Sequence, residues 1–225
     1  PFKETLLLAE SSMFGSSIAS YRNNPGKTYV KSLFHAAYRR EVFEKVGFFN
    51  EELVRTEDNE IHYRMRKAGY KLCFDPDIIS YQYTRSSLKA MLKQKYGNGY
   101  WIGKTSKVCP KCLSIYHFVP FAFVSAIIAS GSVIGATGLA ECIKKRHNHT
   151  LGKGISALRK VTVVLTTVMW VLYALMASGM AAVSAFKAED KRNITNACLP
   201  VLFLLLHLSY GIGTIAGLMD KSKRG

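Results

Sequence analysis

The sequence predicts an α/β first part, residues 1–112, followed by a membrane domain of two to three hydrophobic helices, residues 113–225. Three observations carry that reading. In the first part, segments with helical periodicity alternate with short segments of period two, separated by Gly, Pro, Asn and Asp turns. In the second part, stretches 113–140, 161–186 and 194–219 contain no Asp, Glu, Lys or Arg. Each exceeds the roughly 20 apolar residues that span a bilayer core. Finally, 31 Lys and Arg against 15 Asp and Glu leave a net charge of +16, and basic residues flank the hydrophobic stretches. An anionic membrane surface and a phosphorylated substrate together account for that excess. Nucleic acid is the weakest partner for it, since no nucleic-acid-binding motif is present.

In chain order, residues 3–12 read as a helix with Leu6, Leu7 and Ala9 on its apolar face, and residues 21–27 as a loop rich in Asn, Pro and Gly. Residues 29–38 alternate enough for one or two short strands, and 40–46 form a short helix ended by Gly47. Residues 70–74 and 78–83, joined by Asp75-Pro76-Asp77, predict a hairpin or an adjacent strand pair. Residues 88–96 predict a basic amphipathic helix, with Leu88, Met91, Leu92 and Tyr96 on one face, suited to the headgroup plane of a membrane. The five cysteines are scattered and odd in number, which favours a reducing compartment over a disulfide framework. Cys109-Pro110-Lys111-Cys112 has the spacing of half a zinc site, but His117 alone does not complete four ligands.

The segment 54–69 is the centre of the first part. Thr56 stands where an N-cap belongs, Glu57, Asp58 and Glu60 follow in the first turn, Arg64, Arg66 and Lys67 fill the last, and Gly69 supplies the stop. Ile61, Met65 and Ala68 fall on one buried face. Acids in a first helical turn complement the helix dipole, and that is one reading of Glu57 and Asp58. The other is that a loop-to-helix junction holds the two carboxylates rigidly against a substrate.

From about residue 11 to 101 the sequence resembles the C-terminal half of the catalytic domain of family 2 glycosyltransferases, most closely the membrane-attached succinoglycan-biosynthesis type. The resemblance lies in Ser11-Ser12-Met13-Phe14-Gly15, in His35 through Glu51, in Thr56-Glu57-Asp58, in Arg64-Met65-Arg66-Lys67-Ala68-Gly69 and in Arg85-Ser86-Ser87-Leu88. It implies a partial GT-A, Rossmann-like catalytic domain and an inverting reaction between a nucleotide-sugar donor and a lipid-linked or polysaccharide acceptor. It further implies that Asp58 is the general base, with Glu57 orienting the site or the dipole. A divalent metal, Mg or Mn, is expected for the family, but the nucleotide-binding half with its metal-binding Asp-x-Asp has no counterpart here, and nothing before Glu57 pairs aspartates. With Pro1 in first place, the chain reads as a fragment or a truncated product. The competing expectation is a catalytically inactive membrane scaffold or interaction protein.

Four further residues are candidate substrate contacts. His35 lies in a segment that matches the sugar-pocket lining of family members, and is otherwise a packed strand histidine. Arg85 is a basic group that could offset a leaving diphosphate. Gln94 and Trp101 parallel the Gln-x-x-Arg-Trp motif of processive members, but here the spacing differs and the Arg is absent. Trp101 either stacks on a sugar ring or anchors the chain at the membrane interface. Cytosolic nucleotide sugars imply a multi-pass cell-membrane protein with its catalytic part in the cytosol. Three spans would then put the basic residues of 144–160 outside, against the positive-inside tendency. The first stretch, with Pro120, Gly131, Gly135 and Gly138, is therefore expected to be re-entrant or interfacial.

Overall fold

A computed structural model describes residues 1–15, 26–81, 83–146, 152–188 and 193–222. Its elements are helices α1 (Phe2–Ser11), α2 (Arg40–Val46), α3 (Glu57–Lys67), α4 (Leu88–Val108), α5 (Val119–Arg146), α6 (Lys153–Phe186) and α7 (Leu199–Met219), with strands β1 (Thr28–Val30) and β2 (Leu72–Phe74). Short 3-10 turns at Pro110–Cys112 and Ile115–Phe118 lead from α4 into α5, and a third at Ile194–Cys198 leads into α7.

An α/β Rossmann-like sheet is not what the described residues form. β1 and β2 pair antiparallel, Tyr29 opposite Cys73, as one two-stranded ribbon. Among the described residues, the hairpin or adjacent strand pair expected from 70–74 and 78–83 does not form, and β2 pairs with β1 instead. Ile78, Ile79, Tyr81 and Tyr83 are exposed instead, Tyr83 by 96%. Of the strands expected across 29–38, only the start is extended pairing. The predicted loop at 21–27 lies, through Pro25, outside the described residues.

Two apolar clusters organise the chain. Under α3, Ile61 and Met65 meet Val42 of α2 and Leu72 of β2, with Tyr38 and Phe43 packed beside them. Arg64 ties this layer together: its guanidinium reaches both carboxylate oxygens of Glu60 at 2.8 Å and the Phe48 carbonyl at 2.7 Å. The larger cluster joins Leu6 and Ala9 of α1, Met91 of α4, Tyr173 and Ala177 of α6, and Leu202, Phe203 and Leu206 of α7. Leu7, expected inside, is turned outward and about half exposed, since it sits one step around the helix from Leu6.

α4 departs most from expectation. It runs past Tyr96 to Val108 and packs in parallel along α7 rather than lying free. The contact is backbone to backbone: a Cβ on Gly99 would collide with the Tyr210 carbonyl, one on Gly213 with the Tyr96 carbonyl, and one on Gly217 with the Tyr100 carbonyl. Small residues four apart on both helices permit this approach. The helix is thereby rotated so that Met91, Lys95, Gly99 and Ile102 point inward, while Tyr96, expected on the apolar face, is 41% exposed.

The segments ending in α5, α6 and α7 are each long and apolar enough to cross a membrane. α5 is one continuous helix of 28 residues, without the internal break that a re-entrant first stretch would need. Pro120 stands at its second position, where the missing N–H removes no helical hydrogen bond. Gly131 and Gly135 are accommodated with open space around them. Gly211 of α7 admits the α5 backbone at Pro120.

Candidate active site

A cavity of about 590 Å³ opens where the N-terminus of α3 faces α4. Glu57, Asp58 and Asn59 line it from α3, the 33–38 segment from one flank, and Gln94, Lys95, Asn98 and Ile102 from α4. Its inner end reaches Glu10 of α1, His117 and Tyr210 of α7, so one space connects the carboxylates to the hydrophobic helices.

The junction before α3 is held in an unusual conformation. Thr56 has φ +66°, the left-handed region that a β-branched residue rarely adopts. Its side chain therefore does not cap the helix, contrary to the sequence reading. The hydroxyl bonds to Thr105 of α4 instead. Arg55 donates to Asn98 Oδ1 at 2.6 Å, and its guanidinium packs over Gly97. These two contacts clamp the α3 N-terminus to α4, and α7 backs α4 in turn.

Burial raises the Asp58 carboxyl above the usual carboxylate range, and the neighbouring Glu57 raises it further, against the lowering effect of the Asn59 amide bonded to Oδ1 at 2.8 Å. Such a carboxylate holds a captured proton better than an exposed one. Glu57 Oε2 and Gln94 Oε1 are both buried without a hydrogen-bond partner among the described residues. Two unsatisfied acceptors on one cavity are a costly arrangement that a ligand's donors would relieve.

Of the six residues singled out from the sequence, Glu57, Asp58, His35 and Gln94 line this cavity. His35 is exposed, with φ +55° and its ring stacked on Phe34 at 4.0 Å. Arg85 is exposed and lies outside the cavity lining. Trp101 is also outside it, edge-on to Tyr100 at 5.7 Å. Sequence reasoning passed over Tyr38, Arg55, Lys95 and Asn98. The side chain of Lys95 is 4% exposed and sits 3.8 Å from Glu10, a pairing between residues 85 positions apart that no local pattern signals.

Among the described residues no three His, Cys, Asp or Glu side chains converge as a metal-binding set. Glu57 and Asp58 are a pair only, so the described residues do not fit a divalent ion by themselves.

The family described as glycosyl transferase family group 2 has a model that matches residues 11–214. A succinoglycan biosynthesis protein, ExoA, of Rhizobium meliloti (strain 1021) is 29% identical over 98 residues, covering 44% of this chain and 30% of that protein. The dolichyl N-acetyl-alpha-D-glucosaminyl phosphate 3-beta-D-2,3-diacetamido-2,3-dideoxy-beta-D-glucuronosyltransferase of Methanococcus voltae is 30% identical over 81 residues, 36% of this chain and 25% of that protein. The chain thus spans less than a third of the length of these curated relatives. No solved structure matches it.

Proposed function

The chain belongs to glycosyl transferase family group 2, and we propose that it serves the inverting transfer of a sugar from a nucleotide-sugar donor to a lipid-linked or membrane-associated glycan in polysaccharide biosynthesis. The observation that carries this reading is the single cavity that joins Asp58 to the hydrophobic helices through Gln94, Lys95 and Tyr210. An acceptor held at the membrane can reach the base without leaving it.

In the reaction an acceptor hydroxyl oxygen attacks the anomeric carbon as the bond from that carbon to the diphosphate oxygen breaks. The hydroxyl proton passes to Asp58, and the nucleoside diphosphate leaves with the bonding electrons. Glu57 contributes by keeping Asp58 basic, and its buried Oε2 and Gln94 Oε1 accept hydrogen bonds from sugar hydroxyls. His35 on the rim offers a further sugar contact. Arg85 and Trp101 are given no contact with the reacting atoms, because both lie outside the cavity. Nucleotide sugars are made in the cytosol, so the cavity faces that side of a cell membrane crossed by the hydrophobic helices.

The test is Asp58→Asn in the protein as its host makes it, with transfer followed from a radiolabelled nucleotide sugar into membrane lipid. A general base contributes about 10²- to 10⁴-fold, so turnover falls by that order while the thermal midpoint stays put. Turnover within a few-fold of the parent would remove Asp58 from the role.

A further inference from the structure

His62 is fully buried one helical turn beyond Asp58, and the reaction above makes no use of it. Its Nε2 lies 2.6 Å from the Tyr38 hydroxyl and its Nδ1 3.0 Å from the Ser32 hydroxyl. Tyr38 in turn lines the cavity with Asp58. Burial and the adjacent Arg66 hold the imidazole down to about 4, so the ring is neutral at physiological pH, with one nitrogen a donor and the other an acceptor. A phenol is a far stronger acid than a serine hydroxyl, and the shorter contact belongs to the phenol. The arrangement that follows is Tyr38 O–H donating to Nε2 and Nδ1–H donating to Ser32 Oγ.

That arrangement decides what Tyr38 offers the cavity. With its proton committed to His62, the phenol oxygen presents only lone pairs beside two carboxylates. A phenol free to rotate would instead donate to Asp58 and weaken it as a base. We propose that Tyr38, held by the His62–Ser32 pair, docks a second hydroxyl of the acceptor sugar next to the one that Asp58 deprotonates. The acceptor class is then a sugar with two neighbouring free hydroxyls, one read by Tyr38 and one reacting. Tyr38 is a binding residue in this scheme and His62 a positioning residue.

The inference rests on the transferase reading, and its test separates the two. Detergent-solubilised protein is given a lipid extract of its own host membranes as acceptor and a panel of radiolabelled UDP-, GDP- and dTDP-sugars. Transfer by the parent that is no greater than by Asp58→Asn would overturn the functional reading and this one with it. Given transfer, Tyr38→Phe raises the apparent KM for the extract about tenfold, as loss of one hydrogen bond does, and leaves the donor KM alone. His62→Leu lowers kcat by freeing the phenol to turn on Asp58, and adds nothing in the Tyr38→Phe background. An unchanged acceptor KM in Tyr38→Phe, or additive effects of the two substitutions, would sink the docking role alone. Nitrogen-15 NMR of labelled histidine supplies a readout independent of catalysis and of variant folding. His62 is expected as the Nδ1–H tautomer, and an Nε2–H tautomer overturns the proposal.

Discussion

Replacing Gly213 by Ala probes the α4–α7 contact on which the cavity wall depends. The added methyl would meet the Tyr96 carbonyl, with the Tyr100 amide nitrogen close behind, so the obstruction is backbone and cannot rotate aside. The helices must separate by roughly a methyl radius, about 1–2 Å, and overpacking of this kind costs about 1–3 kcal/mol. The upper end applies, because Gly99, Gly103 and Gly217 make the same approach and lose it together. A chain of this size shifts by about 2–4 °C per kcal/mol, giving a fall of about 6–12 °C in thermal midpoint in detergent micelles. Gly179→Ala in α6 is the control: open space surrounds that position, and Ala is the better helix former by about 1 kcal/mol, so its midpoint holds or rises. Activity amplifies the difference. Gln94, Lys95, Asn98 and Ile102 all move with α4, and a displacement of about 1 Å costs on the order of 10²-fold in rate. A Gly213→Ala protein as stable and as active as the parent would refute the close packing.

Three other predictions follow from individual groups. His62 has a folded pKa of about 4 against about 6.5 when unfolded, so its contribution is complete above about pH 6.5 and is lost as pH falls toward 4. Up to about 3 kcal/mol disappears across that window, and His62→Gln flattens the dependence, which urea titrations at pH 7 and 4.5 would measure. The acidic limb of kcat/KM is set by Asp58 and lies above the ordinary carboxylate pKa, with Glu57→Gln moving it down. Lys95→Met breaks the buried pair with Glu10 and costs about 3 kcal/mol, whereas Lys95→Met with Glu10→Gln recovers most of it, read as denaturation midpoints.

Much of the local architecture was legible in the sequence. The acid-to-base order of 57–67 reports a helix because the dipole acts within one turn at each end, and Gly69, with φ +92°, closes it as expected. The hydrophobic helices declare themselves because spanning a bilayer is a matter of uncharged length. The carboxylate pair at the head of α3 was also visible, since a first-turn position fixes where both acids stand.

What the chain order could not convey was which surfaces meet. Period-two alternation cannot say which edge a strand will find, and β2 found β1 rather than its neighbour. The 88–96 pattern suggested a surface helix because glycine carries no hydrophobicity, while in the fold Gly99 and Gly103 decide the rotation of α4 by letting α7 approach its backbone. Lys95 is a buried cation beside Glu10, 85 positions away, and Tyr38 is held in place by the imidazole of His62, 24 residues on, whose other nitrogen meets Ser32. Helix and span are short-range properties of the backbone, determined by residues within a turn or a membrane thickness of one another. The cavity is built from long-range contacts, each contributing only when the others are already in place, and that cooperativity belongs to the tertiary structure.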